Sequence, residues 1–112
     1  MRRRYMMIQS FEDNVFDPVS FTFYLPASVK AGRKFSASIA ATEDVKMVTL
    51  CFPDGTIAAQ KTQAQANNSS PPYRYSLLAT APTTKGDLTL YAYATDENGK
   101  ESQRVYRTIT VK

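Results

Sequence analysis

From residue 86 to residue 95 the chain alternates strictly: Leu88, Leu90, Ala92 and Ala94 occupy one set of positions, Thr89, Tyr91, Tyr93 and Thr95 the other. A period of two places successive side chains on opposite faces of a strand, so this segment buries one face and turns the other away from the core. Asp96, Asn98 and Gly99 supply turn chemistry, and the β-branched run Val105 to Val111 returns. A chain that closes on such a hairpin is committed to an all-β fold.

The same pattern recurs upstream. Phe21, Phe23 and Leu25 alternate with Thr22 and Tyr24 until Pro26, which lacks the N–H a ladder needs, and this first strand is expected at a sheet edge. After Ala31-Gly32, Phe35, Ala37, Ile39 and Ala41 alternate with Ser36, Ser38 and Ala40 and predict a central strand. Val48, Leu50 and Phe52 face one way and Met47, Thr49 and Cys51 the other. The run stops at Pro53-Asp54-Gly55, whose Asp-Gly pair tolerates the positive φ of a tight hairpin. Ile57 to Gln63 predicts a polar returning strand at an edge. The stretch from Thr62 to Pro72, rich in Gln, Asn, Ser and Pro, is expected as the longest and most mobile loop. Tyr73, Tyr75 and Leu77 then resume alternation through Thr80. About seven strands with one long connection fit a two-sheet Greek-key sandwich, with no helix longer than a turn.

At 112 residues the chain has room for one domain, which spans 19–112 in this reading, preceded by an arm at 1–18. The arm carries Arg2, Arg3 and Arg4, a short patch beginning at Tyr5, and the apolar residues Phe11, Val15 and Phe16 among turn formers. Those three arginines account for most of the +4 net charge and leave eleven basic against ten acidic side chains. Basicity confined to an arm does not make the extended basic face that nucleic acid requires, so a nucleic-acid partner is not expected. The apolar part of the N-terminus, residues 5 to 8, is shorter than the ~7–15 residues of a signal-peptide core, and no stretch reaches the ~20 needed to span a membrane. As written the chain is expected in the cytoplasm or in a particle assembled there, and at the cell surface if it is a piece of an exported protein.

The closing residues Gly86, Leu88, Leu90, Ala92, Ala94, Thr95, Asp96, Asn98 and Gly99, with Thr108-Ile109-Thr110-Val111, resemble the last two strands of bacterial and phage immunoglobulin-like domains. Val45 to Leu50, ending in Pro53-Asp54-Gly55, looks like their third strand and turn. The resemblance implies an Ig-like sandwich. The chain departs from the antibody-type pattern, with Leu88 at the corner-tyrosine position, Leu90 at the second disulfide cysteine and no tryptophan. Its core is therefore expected to hold by apolar packing alone.

Without histidine, and with Cys51 alone inside a strand, the chain lacks the common general base and zinc ligand as well as an activated nucleophile. Its carboxylates fall in predicted turns, where Asp folds its own backbone. No enzyme activity and no cofactor are expected. Asp96-x-Asn98-Gly99 offers oxygens at alternate positions for calcium, or an ordinary Asx turn.

The stronger candidate is a surface. If Leu88 to Ala94 face inward, Tyr91 and Tyr93 point outward, and Tyr106, Met47 and Cys51 share that face. Exposed Tyr and Met make a contact surface, because they bury large area at low entropy cost. The candidate partner-binding residues are thus Arg2, Arg3, Arg4, Tyr5, Phe11 and Phe16 of the arm, with Tyr91, Tyr93 and Tyr106 of the sheet. The arm folding over that face within one chain is the competing expectation. The functional expectation is a structural or interaction protein, a capsid decoration or head–tail accessory subunit of a virion docking on itself or a larger assembly. The alternative is a bacterial surface or secreted module binding carbohydrate or protein.

Overall fold

The computed structural model describes residues 21–41 and 45–112. The arm at 1–18 and the Glu43-Asp44 turn lie outside the described residues, so the boundary drawn between arm and sandwich does too.

Among the described residues, eight strands form two sheets. β1 (Phe21–Tyr24), β3 (Lys34–Ala41) and β6 (Tyr73–Thr80) make a three-stranded sheet with β3 in the middle. The second sheet runs in the order β2 (Ser28–Val29), β8 (Val105–Val111), β7 (Gly86–Thr95), β4 (Met47–Cys51) and β5 (Ile57–Thr62). This is an all-β sandwich, and its strand order fits the immunoglobulin-like arrangement. The expected positions of β1 at an edge, β3 at the centre and β5 at an edge all hold.

One strand was not expected. β2 pairs parallel with β8, Ser28 opposite Thr110 and Val29 opposite Val111, so the chain leaves the first sheet after Tyr24 and joins the other four residues later. Pro26 sits in that crossing, where a missing N–H costs no ladder bond. The crossing is locked by Thr110 N–H donating to Ala27 O and Lys112 N–H donating to Val29 O. Two residues carry no readable period, which is why the segment looks like loop in the sequence.

The inner faces follow the alternation. Phe23, Phe35, Ala37, Ile39 and Ala41 from one side meet Val48, Leu50, Leu90, Ala92, Ala94 and Ile109 from the other, and all are buried. Tyr73 and Tyr75 also point inward and belong to the core. Cys51 is a free, buried thiol. Apolar burial supplies the cohesion that a disulfide and tryptophan give elsewhere.

Residues 62–72 form a connection with its own hydrogen bonds. A 3-10 turn at Gln63–Gln65 is capped by Gln65, whose side-chain oxygen accepts the Thr62 N–H at 2.9 Å. Asn67 N–H donates to Arg74 O, and the Asn68 amide donates to the carbonyls of Ser70 and Pro72. The Gln65 and Asn68 side chains, which suggest slack in the sequence, bond the loop's own backbone.

Candidate functional site: an aromatic and arginine cluster on the outer sheet face

Antiparallel register sets the outer face of the five-stranded sheet. Cys51 on β4 lies opposite Tyr91 on β7, which lies opposite Tyr106 on β8; one row along, Thr49 lies opposite Tyr93. Cross-strand neighbours on one face are close enough to pack, and these do. The Tyr91 and Tyr106 ring centroids are 5.5 Å apart with planes tilted 45°, and Tyr91 and Tyr93 stack at 6.3 Å.

The face is more covered than alternation suggests. Tyr91 points outward as expected, yet it is only 7% exposed, and Thr49 and Cys51 are buried beside it. The cover comes from Arg104, whose guanidinium carbon stands 4.4 Å from the centre of the Tyr91 ring. A cation over an aromatic face gains electrostatically and shields the ring from water. Met47 and Tyr93 are half-buried, so the expected exposed Tyr and Met patch reduces to one ring that stands clear, Tyr106 at 54% exposure. Arg104 belongs to the irregular connection before β8, where no periodicity marks it. The arm candidates Arg2, Arg3, Arg4, Tyr5, Phe11 and Phe16 lie outside the described residues.

Polar chemistry here is arranged by proximity. Interaction with the neighbouring Cys51 side chain, followed by burial, raises the Tyr91 pKa above its ordinary value. Burial first, then the charges of Glu101 and Cys51, does the same to Tyr93. Both phenols stay protonated through neutral pH. The Tyr106 side chain first, and then the Tyr91 phenol, raise the Arg104 pKa, so the guanidinium stays cationic. On the neighbouring edge Gln60 Nε2 donates to Thr49 Oγ1 at 3.3 Å.

The β4–β5 turn borders this cluster. Asp54 Oδ1 accepts the Thr56 N–H at 2.9 Å, an Asx turn that lowers the Asp54 pKa and keeps its carboxylate charged. Pro53, Asp54, Gly55, Thr89, Tyr91, Arg104 and Tyr106 together line an open cleft of roughly 410 Å³.

The Asp96 side chain forms an Asx turn with its own loop. Asp96 Oδ1 accepts the N–H groups of Asn98 and Lys100, both at 2.9 Å. Among the described residues no three potential metal-ligating side chains cluster, and no helix is long and apolar enough to cross a membrane.

No family model matches the sequence, and no curated protein matches it. Several solved structures share its fold. The sulfur carrier protein SoxY from Chlorobium limicola f thiosulfatophilum aligns with a TM-score of 0.59 at 13% identity, over 88% of this chain and 84% of that one. Fibronectin(III)-like modules of Clostridium thermocellum CbhA align with a TM-score of 0.55 at 18% identity, over 81% of this chain and 96% of that one. The human F-spondin reeler domain aligns with a TM-score of 0.57 at 12% identity, over 90% and 94% respectively. At these identities the likeness establishes a shared β-sandwich and nothing about activity.

Proposed function

We propose that this chain is a non-enzymatic structural or interaction domain that docks through the outer face of its five-stranded sheet, assisted by its N-terminal arm. At the finer level the proposal is a virion subunit, of the capsid decoration or head–tail accessory kind, resident in the particle. The observation that carries the docking reading is the half-exposed Tyr106 ring beside an arginine already fixed on Tyr91. Tyrosine and arginine dominate the energetic centres of protein interfaces, and side chains ordered before contact lose little entropy on binding. The arginines and aromatics at 2–16 support the arm's part, since both residue types suit anchoring to a neighbour. A second reading is a module of a bacterial surface or secreted protein, which would present the same exposed Tyr106 ring to a foreign partner.

Light scattering on the full chain over a range of concentrations tests the docking reading. The full chain is expected to self-associate, and Tyr106→Ser to weaken association at least about tenfold while leaving the melting temperature in place. A Tyr106→Ser chain that assembles like the parent overturns it.

A further inference from the structure

We propose that the cleft between the β4–β5 turn and the start of β8 binds a neutral saccharide ring. This inference goes beyond the docking reading and does not depend on it.

The cleft carries one fixed charge of each sign. Asp54 uses Oδ1 to hold its own turn, and its carboxylate lines the cleft. Its lowered pKa keeps it anionic. Arg104 also lines the cleft, its guanidinium lying over the Tyr91 ring. Tyr106 adds a half-exposed ring, and Thr89 a hydroxyl paired with Thr108 Oγ1 at 2.9 Å. Gly55 borders the cleft beside the Tyr91 hydroxyl. A volume of roughly 410 Å³ lies within the range of small-ligand sites.

Ligand class follows from what these groups tolerate. An acidic side chain or phosphate drawn to Arg104 meets Asp54, and a basic one drawn to Asp54 meets Arg104; like charges at close range oppose either. A purely apolar ligand strips water from both charges without replacing its hydrogen bonds. A neutral polyhydroxylated ring avoids all three penalties. Its hydroxyls donate to the carboxylate, its oxygens accept from the guanidinium, and its C–H face lies on the Tyr106 ring.

The test is a nuclear magnetic resonance titration of the full, isotope-labelled chain. The probes are the methyl glycosides of glucose, galactose, mannose and N-acetylglucosamine, with acetate and methylguanidinium as charged comparisons, each to about 50 mM, a range that suits single-ring ligands making few contacts. At least one glycoside is expected to move the amide signals of Gly55, Thr89 and Tyr106 while those of β3 and β6 stay put. Asp54→Asn, which keeps the turn's acceptor oxygen, and Tyr106→Ser are each expected to weaken that binding at least about tenfold at unchanged melting temperature. The proposal is overturned if no glycoside moves those signals, if acetate or methylguanidinium moves them more than any glycoside, or if both variants bind like the parent. Loss of self-association with glycoside binding intact would remove the docking reading alone.

Discussion

The Ser102 side chain completes the hydrogen bonding of Ala94: its hydroxyl accepts the Ala94 N–H at 2.9 Å, while the Ser102 N–H donates to Ala94 O at 2.8 Å. Ala94 lies near the end of β7, beyond the last β8 partner at Ala92, so a residue of the connecting loop stands in for a strand. Ser102 is buried and passes its own proton to Gln103 O at 3.1 Å. Ser102→Ala leaves a buried N–H without its acceptor and is expected to cost about 1–3 kcal/mol. Urea unfolding measures it, and a loss below experimental error would show that water replaces the hydroxyl.

The Tyr91 and Cys51 contact makes stability sensitive to alkali. Tyr91 and Tyr93 hold their protons more tightly in the folded chain than at the ordinary phenol value of 10.0. Below that value both folded and unfolded phenols are protonated and this contribution is fully present. As pH rises past it the unfolded chain ionises first, and stability falls until the folded pKa values are passed. Thermal melts between pH 8 and pH 12 are expected to decline with a slope that Tyr91→Phe reduces. An identical slope in that variant would place the alkaline sensitivity elsewhere.

Gly55 adopts φ +91 in the β4–β5 turn, a region an L side chain occupies only with strain. A Cβ there would sit 3.8 Å from the Tyr91 hydroxyl, an ordinary contact, so backbone strain sets the cost. Gly55→Ala is expected to destabilise by about 1–2 kcal/mol and to leave the core packing unchanged. Denaturant unfolding with an unchanged m value is the expected signature.

Ile109 and Leu78 separate inner from outer positions. Ile109 is fully buried between the sheets, whereas Leu78 on β6 is 58% exposed. Ile109→Ala is expected to cost about 2–5 kcal/mol from lost transfer energy and the cavity left behind. Leu78→Ser is expected to stay within about 0.5 kcal/mol. Comparable losses at both sites would contradict the assignment of faces.

Much of the fold is legible because its signal is local. Phe35, Ala37, Ile39 and Ala41 alternate with Ser36, Ser38 and Ala40 in the chain, and the first set is buried. The same alternation correctly turns Tyr91, Tyr93 and Tyr106 outward. It does not predict that Arg104 covers Tyr91, since Arg104 comes from an irregular loop with no period to connect it to that ring. Nor does it mark Ser102 as a ladder substitute.

By itself, then, the sequence determined which side of each strand meets the core, because backbone geometry flips every successive side chain. That Cys51 has no disulfide partner within these 112 residues was settled there too. Tertiary structure alone decided that the chain crosses sheets at Pro26, that Tyr91 is shielded while Tyr106 stands clear, and that Asp54 and Arg104 border one cleft. Each of these depends on strands or loops distant in sequence arriving side by side, and exposure on an outer sheet face is set by whichever neighbour arrives there.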